Sequence, residues 1–229
     1  MFEAGDEGLL LVFGQGLDAA VNERVQGYGE AVRRAGIPGV RDVVPGYLSL
    51  LVTYDAGKID GDDLRSALAA LRPAARAIRP PRHHEVPVCY GGSFGPDLEE
   101  VAAKAGLTPE DVVGLHAGQE YRVYCLGFAP GFPYCAELPT VLRLPRRPEP
   151  RLKVPRGSVG IAGLQTGIYP LETSGGWHLL GRTPWTVFDW TRPEPARILP
   201  GDTVCFRPIA EGEFRQLEAM ADSGDGSRG

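Results

Sequence analysis

The chain has 229 residues, of which 43% are hydrophobic and 23% charged, with a net charge of −5. That composition suits a protein that buries its own core without staples, and its acidic balance argues against nucleic acid as the main partner. The four cysteines (Cys89, Cys125, Cys135, Cys205) form no CxxC pair and have no metal-ligand spacing, which points to a reduced, cytoplasmic setting.

Gly8 to Phe13 reads as a buried strand. Its apolar run is too short for a membrane span, and no basic residue precedes it, so the sequence predicts no signal peptide. Over residues 17–35 the spacing becomes helical: Leu17, Val21, Val25, Tyr28, Val32 and Ala35 fall at steps of three and four, and Gly36 followed by Pro38 ends the helix. Residues 40–44 and Tyr47 to Tyr54 read as strands around a Pro45-Gly46 turn. Asp60 to Leu71 reads as a second helix, and Ala75 to Ile78 as a fourth strand. The order β-α-β-β-α-β is that of a small ferredoxin-like α+β domain over residues 1–82. Pro80-Pro81-Arg82-His83-His84 reads as a linker.

A strand from Glu85 to Tyr90 opens the second domain, residues 83–215. Short helices are predicted over 96–105 and 108–116, the latter with Thr108 as N-cap, Pro109 at the first helical position and acids in the first turn. From Glu120 on the pattern is β. Between Gly127 and Pro184 nine glycines and nine prolines punctuate short apolar runs, too closely spaced for crossover helices, which predicts a β-barrel with long shaped loops. Trp185 to Trp190 and Thr203 to Pro208 read as the last strands, and residues 216–229 as a frayed polar tail.

Candidate chemistry is sparse. Gly91-Gly92-Ser93-Phe94-Gly95 matches G-x-S-x-G between a strand and a helix, but Gly/Pro-rich β structure follows instead of an α/β-hydrolase sheet, so a glycine turn is the better reading. His83-His84 has no third ligand nearby in sequence, and metal ligation is not expected. His116 ends a short helix, where the helix dipole favours a protonated imidazole; it is equally a capping or half-buried histidine. His178, beside Trp177, reads as structural. From Arg143 to Arg156 run six basic residues (Arg143, Arg146, Arg147, Arg151, Lys153, Arg156) against one acid, Glu149. This island suits carboxylate or phosphate groups.

GFAPGFPYCAELP (127–139), LPRRPEPRLKVPRGSVGIAGLQTGIYP (144–170) and SGGWHLLGRTP (174–184) resemble the signature of the KipI/PxpB family, also called allophanate hydrolase subunit 1. YGGSFGPDLEEVA (90–102), His116 and PGDTVCFRPI (200–209) extend the resemblance over nearly the whole chain. It implies an N-terminal α/β domain, a C-terminal cyclophilin-like β-barrel, and half of a carboxyltransferase-like pair completed by a KipA/PxpC-type subunit. With a LamB/YcsF-type (PxpA) subunit, such proteins resemble an ATP-dependent 5-oxoprolinase that opens 5-oxoproline to glutamate. ATP belongs there to the complex, and neither cofactor nor metal is implied on this chain. The family also contains carboxyltransferase halves of urea carboxylases and an inhibitor of a histidine kinase. Ser93 stands where the family usually has an acid, and Cys135-Ala136 where it has Leu-Gly. The positions carried over by motif are His116, Tyr134, Arg146, Arg151, Gln165, Tyr169, Trp177 and Arg182. The resulting expectation is that Arg151, helped by Arg146, holds a substrate anion between Tyr169 and Trp177, with His116 as a proton-transfer group.

Overall fold

The computed structural model describes residues 1–72 and 80–225. The chain divides into two compact units, Met1–Pro81 and Arg82–Gly229. Both mix helix and sheet, and no helix among the described residues is long and apolar enough to cross a membrane.

In the first unit, β1 (Phe2–Glu3), β2 (Gly8–Val12), β3 (Val40–Pro45) and β4 (Ser49–Tyr54) form one sheet in the order β1-β2-β4-β3. Each neighbouring pair is antiparallel, so β2 and β3 run the same way with β4 between them. Helix α1 (Ala19–Ala35) links β2 to β3. Asp18 caps its first turn by accepting from the N–H groups of Ala20 and Val21, and Gly36 ends it in the left-handed conformation. Its buried Asn22 donates to the carbonyls of Gly46 and Tyr47, tying the helix to the β3–β4 turn. Helix α2 (Gly61–Ala70) starts at the Asp60 cap. Val25, Val32, Leu50, Val52, Leu64 and Leu68 close the core between helices and sheet. The expected fourth strand, Ala75 to Ile78, lies outside the described residues.

In the second unit seven strands close a barrel: β5 (His83–Tyr90), β6 (Glu120–Leu126), β7 (Pro133–Ala136), β9 (Ser158–Ala162), β10 (Gln165–Ile168), β12 (His178–Arg182) and β13 (Thr203–Pro208). Around the barrel the order is β10-β7-β6-β13-β5-β12-β9, and β10 pairs β9 to complete the circle. β13 runs parallel to β5 and antiparallel to β6. A short ribbon of β8 (Arg151–Val154) and β11 (Thr173–Gly175) stands apart from it. Helices α3 (Leu98–Ala105) and α4 (Pro109–Ala117) follow β5, and Leu98, Val101, Ala102 and Val112 join Val86, Tyr121, Val159, Ile161, Val204 and Phe206 in the main core. Thr108 and Asp111 form a reciprocal capping box at the start of α4.

Three expectations need correction. The linker is shorter than Pro80 to His84, because His83 and His84 already pair with Thr203 and Val204 on β13. Trp185 to Trp190 is not a strand. Pro184 precedes the segment and Pro193 and Pro195 lie in the stretch that folds back on it, and the described residues there keep one bridge, between Phe188 and Ala196. Residues 216–225, read as frayed tail, continue helix α5 (Glu211–Asp225). That helix is anchored where Phe214 and Leu217 pack on Cys89 and Phe94, and an Arg215–Glu211 pair supports its first turns.

Candidate functional site

Beside the main barrel core lies a second, aromatic cluster. Phe132, Tyr169 and Trp177 are buried in it with Val154, Ala162 and Leu179, and Tyr134 packs alongside, half-buried. The rings meet edge to face: Phe132 lies 5.1 Å from Tyr169 and 5.3 Å from Trp177, and Tyr134 lies 5.8 Å from Trp177. Gly175 makes room for this arrangement, since a Cβ there would overlap the Tyr169 ring and hydroxyl. Phe128, which precedes β7, closes over the cluster. Its ring approaches Phe132 at 5.5 Å and Tyr169 at 6.1 Å, yet the side chain is 60% exposed. Its φ of 62° puts a non-glycine residue in the left-handed region. A strained, exposed aromatic of this kind points to a functional surface rather than to packing.

Two tyrosine hydroxyls lie within electrostatic reach of the arginines at this surface. Burial pushes the Tyr169 hydroxyl up to about 12, against the Trp177 backbone and the guanidinium groups of Arg146 and Arg151, which lower it. Burial also raises Tyr134, again against Arg146. Both phenols are therefore neutral hydrogen-bonding groups at neutral pH.

The basic island folds into something different from a row of free charges. Arg143 pairs with Glu137 at 3.0 Å and Lys153 with Glu172 at 3.3 Å, while Arg156 donates to the Thr186 hydroxyl. Arg147 donates to both Asp97 and Glu100 at 2.9 Å. Arg151 presents its fork to Asp97, with bonds of 2.8 and 2.7 Å, and the Leu179 N–H donates to the same carboxylate at 2.7 Å. Asp97 is buried at the start of α3 and makes no helix-capping bond. The expectation that Arg151 leads in anion binding meets this geometry: an internal carboxylate already fills its fork.

Among the described residues, Arg146 alone of the six makes no hydrogen bond or ion pair, and it is exposed. Its backbone is nonetheless held on both sides. His178 Nε2 donates to the Pro145 carbonyl at 3.0 Å, and the Arg147 N–H donates to the Gly176 carbonyl at 2.8 Å. A pinned backbone with an unengaged guanidinium beside two neutral phenols can receive an anion that also accepts from hydroxyl groups.

The other sequence-derived positions fall as follows. Trp177 walls the cluster. Gln165 is half-buried at the start of β10, opposite Ala136 and Ala162. Arg182 donates to the Arg156 carbonyl and to Glu218 on α5, and its guanidinium lies 5.6 Å from the Phe214 ring, so it clamps the C-terminal helix. His116 is fully buried, stacked at 4.6 Å on Phe206. The Thr166 hydroxyl gives its proton to the Gly160 carbonyl, so it accepts from His116 Nε2 at 2.9 Å, and Tyr90 donates to Nδ1 at 2.8 Å. That network fixes the neutral Nε2–H tautomer. Burial lowers its pKa to about 3, which overturns the expectation that the helix dipole would favour the protonated form. Ser93 sits on an exposed turn, and among the described residues no histidine or carboxylate hydrogen-bonds it.

Sequence reasoning missed Phe128 and Asp97. The GFAPG stretch carried the first, although nothing in it announces a left-handed phenylalanine. Asp97 carries no signal of its own along the chain, because its three partners are 50 to 82 residues away.

Residues 1–198 match the family model of the carboxyltransferase domain, subdomains C and D. The chain is 38% identical over 226 residues to the B-type 5-oxoprolinase subunit of Bacillus subtilis (strain 168), covering 93% of each chain. It is similar in structure to TTHA0988, with 44% identity and a TM-score of 0.79 over 89% of this chain, and it spans 40% of that longer protein. The urea amidolyase of K. lactis shares the fold alone, with a TM-score of 0.80 at 22% identity, 97% of this chain matching 15% of that one.

Proposed function

This chain belongs to the family of the carboxyltransferase domain, subdomains C and D, and to the KipI/PxpB family of 5-oxoprolinase subunits within it, and from that membership we propose that it is the PxpB-type subunit of an ATP-dependent 5-oxoprolinase. The observation that carries this reading is the nearly end-to-end match to the Bacillus subtilis protein. The complex would comprise a KipA/PxpC-type subunit and a LamB/YcsF-type (PxpA) subunit, with ATP consumed by the assembly. The reaction hydrolyses the lactam amide of 5-oxoproline to give glutamate.

The aromatic cluster supports a binding role for this chain. The carboxylate of 5-oxoproline is a small anion that a planar guanidinium pairs with two parallel hydrogen bonds. We assign that contact to Arg146, with the half-buried Tyr134 as neutral donor, the exposed Phe128 as a wall and Gln165 at the rim, while the buried Tyr169 and Trp177 back them from within the cluster. Arg151 positions the segment through Asp97, and His116 and Arg182 hold the barrel around it.

The isolated chain should show no 5-oxoproline-dependent ATP hydrolysis, and adding both partner subunits should restore it. Full activity of the chain alone would refute the subunit assignment. Carboxyl transfer that depends on a biotin carboxylase, without 5-oxoproline turnover, would instead support a urea or amide carboxylase half. Within the active complex, Arg146→Ala removes a charge-assisted contact worth about 1.5–3 kcal/mol, a loss of roughly ten- to a hundredfold in kcat/KM. An Arg146→Ala complex with unchanged kcat/KM would refute the site while leaving the subunit assignment standing.

A further inference from the structure

A second cluster of ligating side chains lies on the outer face of the barrel, apart from the residues of the candidate site. Along β13 the side chains alternate, with Val204 and Phe206 buried and Thr203, Cys205 and Arg207 facing outward. The register places Cys205 directly opposite Glu120 on β6 and Glu85 on β5. His83 precedes Glu85 by two residues and so shares the same face. Three adjacent strands thus bring an imidazole, a carboxylate and a thiol together. The ligating atoms of His83, Glu120 and Cys205 all lie within 4.8 Å of one another. His83 Nδ1 is 2.8 Å from a Glu120 carboxylate oxygen and 3.1 Å from the Thr203 hydroxyl.

The backbone beneath this group is fixed. His84 Nε2 meets the buried carboxylate of Asp202 at 3.0 Å, and the Arg82 N–H donates to the same side chain at 2.8 Å. The side chains of His83 and Glu120 are about half exposed, at 53% and 52%, and can adjust. The neighbouring cation Arg207 is held by Glu85 and Glu213.

Nitrogen, oxygen and sulfur donors in one cluster suit zinc, which takes all three at about 2.0–2.3 Å in tetrahedral geometry, with ligand atoms about 3.5 Å apart. Reaching that spacing requires side-chain shifts of no more than roughly 1.5 Å. Magnesium and calcium select oxygen ligands and would not use the thiol. A thiolate and a carboxylate together balance the charge of Zn²⁺, with the thiol proton released to solvent on binding.

We infer that His83, Glu120 and Cys205 form a zinc site with three protein ligands, its fourth position open to water. The test uses the full chain, stripped of metal and then dialysed against Zn²⁺, with Co²⁺ as a spectroscopic substitute. A single zinc ion per chain should be retained, and the cobalt form should show a near-ultraviolet thiolate charge-transfer band. Loss of an outer-shell partner alone costs a zinc site about 10- to 100-fold, so loss of a direct ligand should cost at least about tenfold. Cys205→Ser should therefore abolish the band and weaken zinc binding by that factor. Glu120→Gln should weaken binding similarly and keep the band, and Cys89→Ser should change neither. The inference is overturned if no zinc is retained, if the band survives Cys205→Ser, or if Cys205→Ser and Glu120→Gln both leave the affinity unchanged.

Discussion

Asp97→Asn is the sharpest test of how the candidate site is held. Each carboxylate oxygen of Asp97 accepts two bonds. Oδ1 receives Arg147 Nη1 and Arg151 Nη2, while Oδ2 receives Arg151 Nη1 and the Leu179 N–H. An asparagine is nearly the same shape but keeps only one acceptor oxygen. Whichever way its amide is turned, two donors meet an NH2 group, and the charge that held both arginines is gone. Each lost charge-assisted bond is worth about 1.5–3 kcal/mol. The arginine side chains are 25% and 26% exposed and can recover some hydration, so the net cost is about 2–4 kcal/mol. Tryptophan fluorescence during urea unfolding reads this out cleanly, because Trp177, Trp185 and Trp190 all belong to the barrel unit. The midpoint should drop with little change in slope. A variant within about 0.5 kcal/mol of wild type would refute the argument that Asp97 is the anchor of the arginine segment.

Three further outcomes follow from single residues. His116 stays neutral in the folded chain down to about pH 3, whereas in the unfolded chain it takes up a proton near pH 6.5. Its contribution is fully present above pH 6.5 and is lost as the pH falls toward 3, at up to about 1.4 kcal/mol per pH unit. His116→Gln should flatten the wild-type stability slope between those limits, and identical slopes from urea titrations would contradict the buried neutral tautomer. A Cβ on Gly95 would overlap the Leu180 carbonyl, so Gly95→Ala must displace β12 or the turn, and its thermal transition should fall by the equivalent of about 3 kcal/mol or more. An unchanged Tm would mean that the close backbone approach is not there. Phe128→Gly relieves about 1 kcal/mol of left-handed strain and gives up edge-to-face contacts of similar size. Stability should hold within about 1 kcal/mol while kcat/KM of the assembled enzyme falls roughly two- to tenfold; retained kcat/KM would remove Phe128 from the site.

What the sequence made legible was local. The helix limits at Gly36 and Thr108 follow from local chemistry: a glycine takes the left-handed turn that ends α1, and the Thr108 hydroxyl bonds three residues ahead at the start of α4. The barrel followed from short apolar runs between prolines and glycines, which leave no room for crossover helices. Long-range pairing was not legible. Read along the chain, Arg143 to Arg156 is a positive island, yet its neutralising acids (Asp97, Glu100, Glu137, Glu172) come from outside the stretch. Only folding reveals that Arg146 is left over. His116 likewise reads as a helix-end cation until the strands that bury it are in place, and desolvation then outweighs the dipole. The cluster of His83, Glu120 and Cys205 escaped a search for ligand spacing because its spacing is set by strand register, not by sequence.

The position of β13 also governs how the chain can fold as it is made. This strand, residues 203–208, is the wedge between β5 and β6, whose residues were synthesised about eighty to one hundred and twenty positions earlier. Until it emerges from the ribosome, β5 and β6 each present an unpaired edge and the circle of strands stays open. Such an intermediate has high contact order and sticky edges, a combination that slows folding and invites association with other chains. The first unit has its described helices and sheet within the first seventy or so residues and can settle long before. Ribosome-stalled nascent chains ending before Thr203 should therefore hold a protease-resistant N-terminal unit and a protease-sensitive barrel, with resistance spreading to the barrel only once β13 clears the exit tunnel.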